Sequence, residues 1–116
     1  MHQKLILTLF LVSVLVISIP LTAYAGIAYS PPVTLNNPSP LTNDFFGSSV
    51  SISGNNILIG AYSDDTGATN AGTAYLFDTS GNLLQTLNNP SPTSSDFFGY
   101  SVSISGNNIL IGAYND

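Results

Sequence analysis

The stretch TLNNPSPLTNDFFGSSVSISGNNILIGAY at residues 34–62 returns as TLNNPSPTSSDFFGYSVSISGNNILIGAY at residues 86–114, an offset of 52 residues from Thr34 to Thr86. The copies differ only at the pairs 41/93, 42/94, 43/95 and 48/100. A repeat of this length built from strand-like segments predicts a modular all-β architecture, because one such unit cannot bury its own apolar faces and needs a neighbour stacked against it. Inside the first copy, Ser49-Val50-Ser51-Ile52-Ser53 alternates small polar with β-branched residues, the period-2 signature of a strand with two unlike faces. Gly54-Asn55-Asn56 then tolerates the positive φ of a tight hairpin, and Ile57-Leu58-Ile59-Gly60-Ala61 is a continuous apolar run, as in a strand covered on both faces.

Outward from this core, a polar loop over residues 63–71 leads to a third strand, Thr73-Ala74-Tyr75-Leu76-Phe77. Asp78-Thr79-Ser80-Gly81-Asn82 reads as a turn, residues 83–87 as a fourth strand, and Asn88-Asn89-Pro90-Ser91-Pro92 as a loop. Four short antiparallel strands joined by tight turns make up one blade of a β-propeller. Outside the first 25 residues, nothing in the sequence carries a convincing helical period.

Those first 25 residues form a separate segment. His2 and Lys4 give a short polar start, residues 5–19 are almost wholly apolar, Pro20 breaks the run, and Ala23-Tyr24-Ala25 matches a signal-peptidase site. The apolar run falls short of the roughly 20 residues a spanning helix requires. The expected organisation is therefore a signal peptide over 1–25, a lead-in over 26–33, a first repeat over 34–85 and a shortened second repeat over 86–116.

Cleavage after Ala25 alters the charge inventory. The chain has a formal net charge of −5, and its only lysine, histidine and methionine all lie in the leader. The mature part carries Asp44, Asp64, Asp65, Asp78, Asp96 and Asp116 with no basic side chain. Nucleic acid is excluded as a partner because phosphate binding draws on Lys and Arg, and a polybasic membrane patch fails on the same ground. With no cysteine there is no disulfide framework, so packing or metal must supply the stability.

Phe46-Gly47 followed by Ser48-Ser49-Val50-Ser51-Ile52-Ser53-Gly54 and then Ile57-Leu58-Ile59-Gly60-Ala61-Tyr62 resembles the FG-GAP repeat. Gly60-Ala61-Tyr62 stands where that family has Gly-Ala-Pro, and Phe98-Gly99 with Gly112-Ala113-Tyr114 fills the same places in the second copy. Gly72-Thr73-Ala74-Tyr75-Leu76-Phe77 is similar to the G-x-x-Y-x-F strand that comes next in such repeats. The resemblance spans residues 34–116 and implies blades of a seven-bladed, integrin α-like propeller of the kind used for adhesion or ligand binding. One complete repeat plus about half of a second is then present, an incomplete ring.

Integrin-type blades often hold calcium in an Asp-rich hairpin loop between the FG and GAP strands. Here that connection is only Gly54-Asn55-Asn56, and Gly106-Asn107-Asn108 in the second copy, too short to offer six to eight oxygens. The acidic loop Asp64-Asp65-Thr66-Gly67-Ala68-Thr69-Asn70 lacks the alternating ligand spacing; either solvated turn residues or a calcium site could use it. No metal or other cofactor is expected.

Nor is catalysis. Beyond the leader the chain has no His, Cys, Lys, Arg or Glu, so no ordinary base stands ready to activate its many serines. Asp44 and Asp96 are repeat equivalents in loops and read as structural. Tyr62 and Tyr114 end equivalent strands, where an aromatic either caps the core or offers a stacking surface, and Phe45-Phe46 and Phe97-Phe98 read as packing between blades. The expected function is an exported, non-catalytic binding, adhesion or structural module for a protein or glycan ligand. The alternative is a fragment of a quinoprotein-like, PQQ-type propeller enzyme, since Asp78-Thr79-Ser80-Gly81 is similar to the turn in those blades; the tryptophan that usually comes after it is missing.

At 52 residues per repeat, a seven-bladed ring requires about 360 residues. The expectation is accordingly a fragment of a longer propeller, with the Thr34-Leu35 stub completing the last blade. Ile57-Leu58-Ile59 and Ile109-Leu110-Ile111 would leave uncovered flanks, and these would make the isolated chain self-associate.

Overall fold

The computed structural model describes residues 31–116, so the signal peptide expected over 1–25 lies outside the described residues. Six strands succeed one another: β1 (Ser49–Ser53), β2 (Asn56–Ala61), β3 (Thr73–Asp78), β4 (Leu83–Asn88), β5 (Phe98–Ser105) and β6 (Asn108–Ala113). There is no helix among the described residues. The first repeat forms a four-stranded antiparallel sheet in the order β1-β2-β3-β4, and the second forms the two-stranded sheet β5-β6.

Local chemistry explains the hairpins. Ser53 pairs with Asn56, which leaves Gly54-Asn55 as a two-residue loop, and Gly54 takes φ +57° as the first central residue of a II′ turn does. The second copy repeats this between Ser105 and Asn108, with Gly106 at φ +55°. Between β3 and β4 the turn is held by Asp78: its Oδ1 accepts from the N–H groups of Ser80 and Asn82, and its Oδ2 from Asn82 Nδ2. A bulge between Leu76 and Phe77 shifts the β3-β4 register there.

Alternation along β2 and β3 splits the core in two. Ile59, Ala61, Tyr75 and Phe77 share one face of the four-stranded sheet, against which Leu35, Phe46 and Ile57 pack. Leu58 and Ala74 share the other face, joined there by Leu76 and Leu87 and covered by Ile104, Phe98, Val102 and Ile111 of the second repeat. The second core is thus the junction between repeats, as a modular β chain requires. It corrects one expectation: the flanks of Ile57-Leu58-Ile59 are not left bare, because Leu35 and Phe46 cover one side and β5-β6 the other. Ile109 and Leu110 do stand exposed.

Two further contacts tie the repeats together. Gly99 sits against the first repeat so closely that a Cβ on Gly60 would lie 2.0 Å from the Gly99 carbonyl oxygen, so the glycines of the FG and GAP motifs interlock across the junction. On the strand edges, the serine face of β1 is turned to the backbone of β5. The N–H groups of Val102, Ile104 and Gly106 donate to Oγ of Ser49, Ser51 and Ser53 at 2.9, 3.1 and 3.0 Å. Side chains of one edge strand therefore satisfy the free backbone donors of the next, which would otherwise be left unpaired.

Candidate functional surface

No enclosed pocket is present among the described residues. The aspartates are committed to holding loops. Asp44 is buried, and its Oδ2 accepts from Asn37 Nδ2 at 3.0 Å and from the Leu41 N–H at 2.6 Å. Asp96, also buried, does the same for the second copy through Asn89 Nδ2 and the Thr93 N–H, and accepts a further short bond from the Thr93 hydroxyl. Each carboxylate thus clamps an Asn-Pro-Ser-Pro loop at the entrance to its repeat. The hydrogen bonds from Thr93, with that from Asn89, hold the Asp96 carboxyl below its ordinary value of 3.8, although burial pulls the other way.

Asp64 and Asp65 are occupied as well. Asp64 is buried, with Oδ1 accepting from the Thr66 N–H at 2.8 Å and Oδ2 from the Tyr75 hydroxyl at 2.8 Å. Burial first, then the hydrogen bond to Asp64 and the charges of Asp64 and Asp44, push the Tyr75 phenol well above its ordinary 10.0. Asp65 Oδ1 accepts from the Asn70 N–H, closing the loop back on itself. In the turn that resembles a quinoprotein blade, Asp78 is likewise spent on Ser80 and Asn82.

What the fold does present outward is a row of aromatic rings. Phe45 stacks flat on Tyr62, with centroids 5.0 Å apart and planes 5° from parallel. Tyr62 meets the edges of Phe97 at 5.9 Å and Tyr100 at 5.4 Å, and Tyr114 closes the row at 6.5 Å from Phe97 and 5.1 Å from Tyr100. Phe45, Tyr100 and Tyr114 are 51 %, 52 % and 71 % exposed. Five rings in mutual contact across two repeats form a continuous apolar ladder.

Backbone conformation divides each Phe-Phe pair. Phe45 and Phe97 hold φ of +56° and +57°, a costly region for a bulky residue, and they come two residues after Asn43 and Ser95, both at +68°. With that geometry Phe46 and Phe98 enter the two cores while Phe45 and Phe97 join the ladder. The expectation that all four pack between blades holds for Phe97, whose ring meets Tyr62 of the first repeat, and for Phe98 in the junction core, and is corrected for Phe45 and Phe46, which pack within the first repeat. Tyr62 is half-buried within the row, and Tyr114 stands exposed at its end rather than capping a core. Sequence reasoning misses Tyr100, and the signal that could have found it is its place at one of the few differences between the copies, where the first repeat has Ser48.

The FG-GAP repeat model matches residues 39–77 and 85–116, more than half of the chain. The chain belongs to the FG-GAP repeat family. Each matched stretch holds one of the interlocked glycines, Gly60 in the first and Gly99 in the second, and each contributes rings to the ladder, Phe45 and Tyr62 from one and Phe97, Tyr100 and Tyr114 from the other. No curated protein and no solved structure gives a significant match to this FG-GAP chain.

Proposed function

We propose that this chain is an exported, non-catalytic binding or adhesion module whose repeats are blades of a β-propeller and whose aromatic ladder meets a protein or glycan ligand outside the cell or at its surface. The observation that carries the reading is the ladder itself. Rings that serve only packing are normally buried, whereas here three of five are at least half exposed and two of the five are held at a strained backbone angle repeated in both copies. FG-GAP repeats occur in integrin-like binding and adhesion modules, which supports a binding role. The leader over residues 1–25 supports export. Asp44, Asp64, Asp65, Asp78 and Asp96 are all engaged in fixed hydrogen bonds, which supports a structural use of the acidic residues.

Binding to a printed oligosaccharide array and to a panel of extracellular-matrix proteins tests this, with Tyr100→Ala and Tyr114→Ala measured beside the parent chain. A single lost ring contact of about 0.5–1.5 kcal/mol weakens binding by roughly 2- to 12-fold. Absence of any ligand on both surfaces, or binding untouched by either substitution, refutes the ladder as the ligand face. Export is checked separately by the intact mass of protein recovered from the medium of a secreting host, expected to begin at Gly26; a mass that retains the leader refutes it.

A further inference from the structure

The junction between the two repeats shows how one FG-GAP unit docks on the next, and several of its parts have exposed equivalents elsewhere on the chain. Leu58, 0 % exposed at the junction, corresponds to Leu110, which is 72 % exposed. Ile104, 7 % exposed where it covers Leu58, corresponds to Ile52, 64 % exposed. Gly99 is pressed against Thr73 and Gly60, whereas a Cβ on its counterpart Gly47 would meet nothing within 4 Å.

The hydrogen-bonding edges obey the same rule. Ser49, Ser51 and Ser53 accept from β5, and their counterparts Ser101, Ser103 and Ser105 are exposed on the same edge of the second repeat. The donors are matched too. Val50 pairs with Ile59 and Ile52 with Ile57, just as Val102 pairs with Ile111 and Ile104 with Ile109. Because the N–H groups of Val102 and Ile104 point away from β6 to reach the serines, the same register turns the N–H groups of Val50 and Ile52 away from β2. One end of the molecule therefore offers three acceptors and an exposed leucine. The other offers the matching donors and an exposed valine and isoleucine.

We propose that a second copy of this chain docks head to tail on the first, with β1 of the second copy against β5-β6 of the first. Ser101, Ser103 and Ser105 then accept from the N–H groups of Val50, Ile52 and Gly54 of the second copy, while its Val50 and Ile52 cover Leu110. The contact repeats the part of the internal interface that β1 and β2 form; the part that Ala74, Leu76 and Leu87 form has no counterpart on β5-β6. Such an interface is heterologous: each copy keeps one free surface of each kind, so association propagates into a ring or a filament rather than stopping at a two-fold dimer. It also disposes of an exposed strand edge, a standing liability of sheet proteins.

The chain lacks cysteine, so position-specific cross-linking has no background. Chains bearing Ile52→Cys and chains bearing Leu110→Cys are mixed under mild oxidation, and disulfide-linked dimer is measured against each variant alone. Both positions are exposed, so neither change removes core packing. Head-to-tail docking brings unlike cysteines together and keeps like ones apart; the mixture is expected to cross-link on the order of tenfold faster or more than either variant alone. Ser101→Ala, Ser103→Ala and Ser105→Ala together on the Leu110→Cys chain are expected to slow it. A mixture no faster than the single variants, or a like-with-like dimer that forms faster, overturns the proposal. On the unmodified chain, amide exchange at Val50, Ile52 and Gly54 is expected to slow as protein concentration rises, and exchange independent of concentration overturns it equally.

Discussion

Replacing Leu58 by alanine and, separately, Leu110 by alanine makes the same chemical change at repeat-equivalent positions in opposite surroundings. Leu58 is wholly buried on the face of β2 that meets Ala74 and Ile104, while Leu110 stands in solvent on β6. Truncation at Leu58 loses the transfer free energy of the deleted carbons, about 1.5–3 kcal/mol for a fully buried leucine side chain, and leaves a cavity between two sheets that cannot close without moving strands. Leu→Ala changes of this kind cost about 2–5 kcal/mol in well-packed cores. Truncation at Leu110 leaves no cavity and belongs with surface changes, within about 0.5 kcal/mol of neutral. The assay is urea unfolding at low protein concentration, where association is suppressed, monitored by far-UV circular dichroism and tyrosine fluorescence. With a slope of about 1–3 kcal/mol per molar urea, the Leu58→Ala midpoint falls by about 1 M or more while that of Leu110→Ala stays near the parent. Equal shifts in the two variants would refute the reasoning, because they would mean that the junction between repeats contributes nothing that a single repeat lacks.

Two predictions concern the buried polar groups. Tyr75→Phe removes the hydroxyl that donates to Asp64 and leaves a buried carboxylate short of a donor, so it is expected to cost about 1.5–3 kcal/mol by urea unfolding. Because the Tyr75 phenol is raised in the fold, its contribution is complete below the unfolded value of 10.0 and is lost as pH climbs above that toward the folded value; the alkaline loss of stability in the parent should be reduced in Tyr75→Phe, and an unchanged profile contradicts the assignment. Asp96 is held below 3.8 by Thr93, so its contribution is complete above that value and is lost as pH falls through the lower folded one; melting measured from pH 5 to pH 2 should show an acid loss that Asp96→Asn diminishes, and an identical acid limb in both chains contradicts the clamp.

Periodicity and turn chemistry make much of this fold legible in the amino-acid sequence. The alternation of Ser49–Ser53, the Gly-Asn hairpins and the apolar run into Ala61 are local signals, and all three are realised within a residue of their expected bounds. Other features depend on what lies far away in sequence. Alternation reveals that β1 has a serine face, but not that backbone donors 53 residues onward meet it. Phe45 and Phe46 are chemically identical neighbours, and only the positive φ at Phe45 sends one outward and the other into the core. Asp64 reads as a solvated turn residue until Tyr75, on the next strand, is seen to bury it.

The near-identity of the copies bears on function through the same junction. Tyr62 belongs to the first repeat, yet its ring contacts are divided between Phe45 in its own repeat and Phe97 and Tyr100 in the next. Separate the repeats and the ladder breaks at its middle rung. The aromatic surface is therefore a property of two docked units, and its continuity depends on the packing that buries Leu58 beneath Ile104 and on the serine bonds that align β1 with β5. In a modular β chain a surface that spans two units and the interface energy are set by the same register between neighbours, so a change that loosens the junction displaces rings it never touches. Each further unit docked by the same rule would carry its own Phe and Tyr into line with Tyr114, which lengthens the ladder by one repeat at a time.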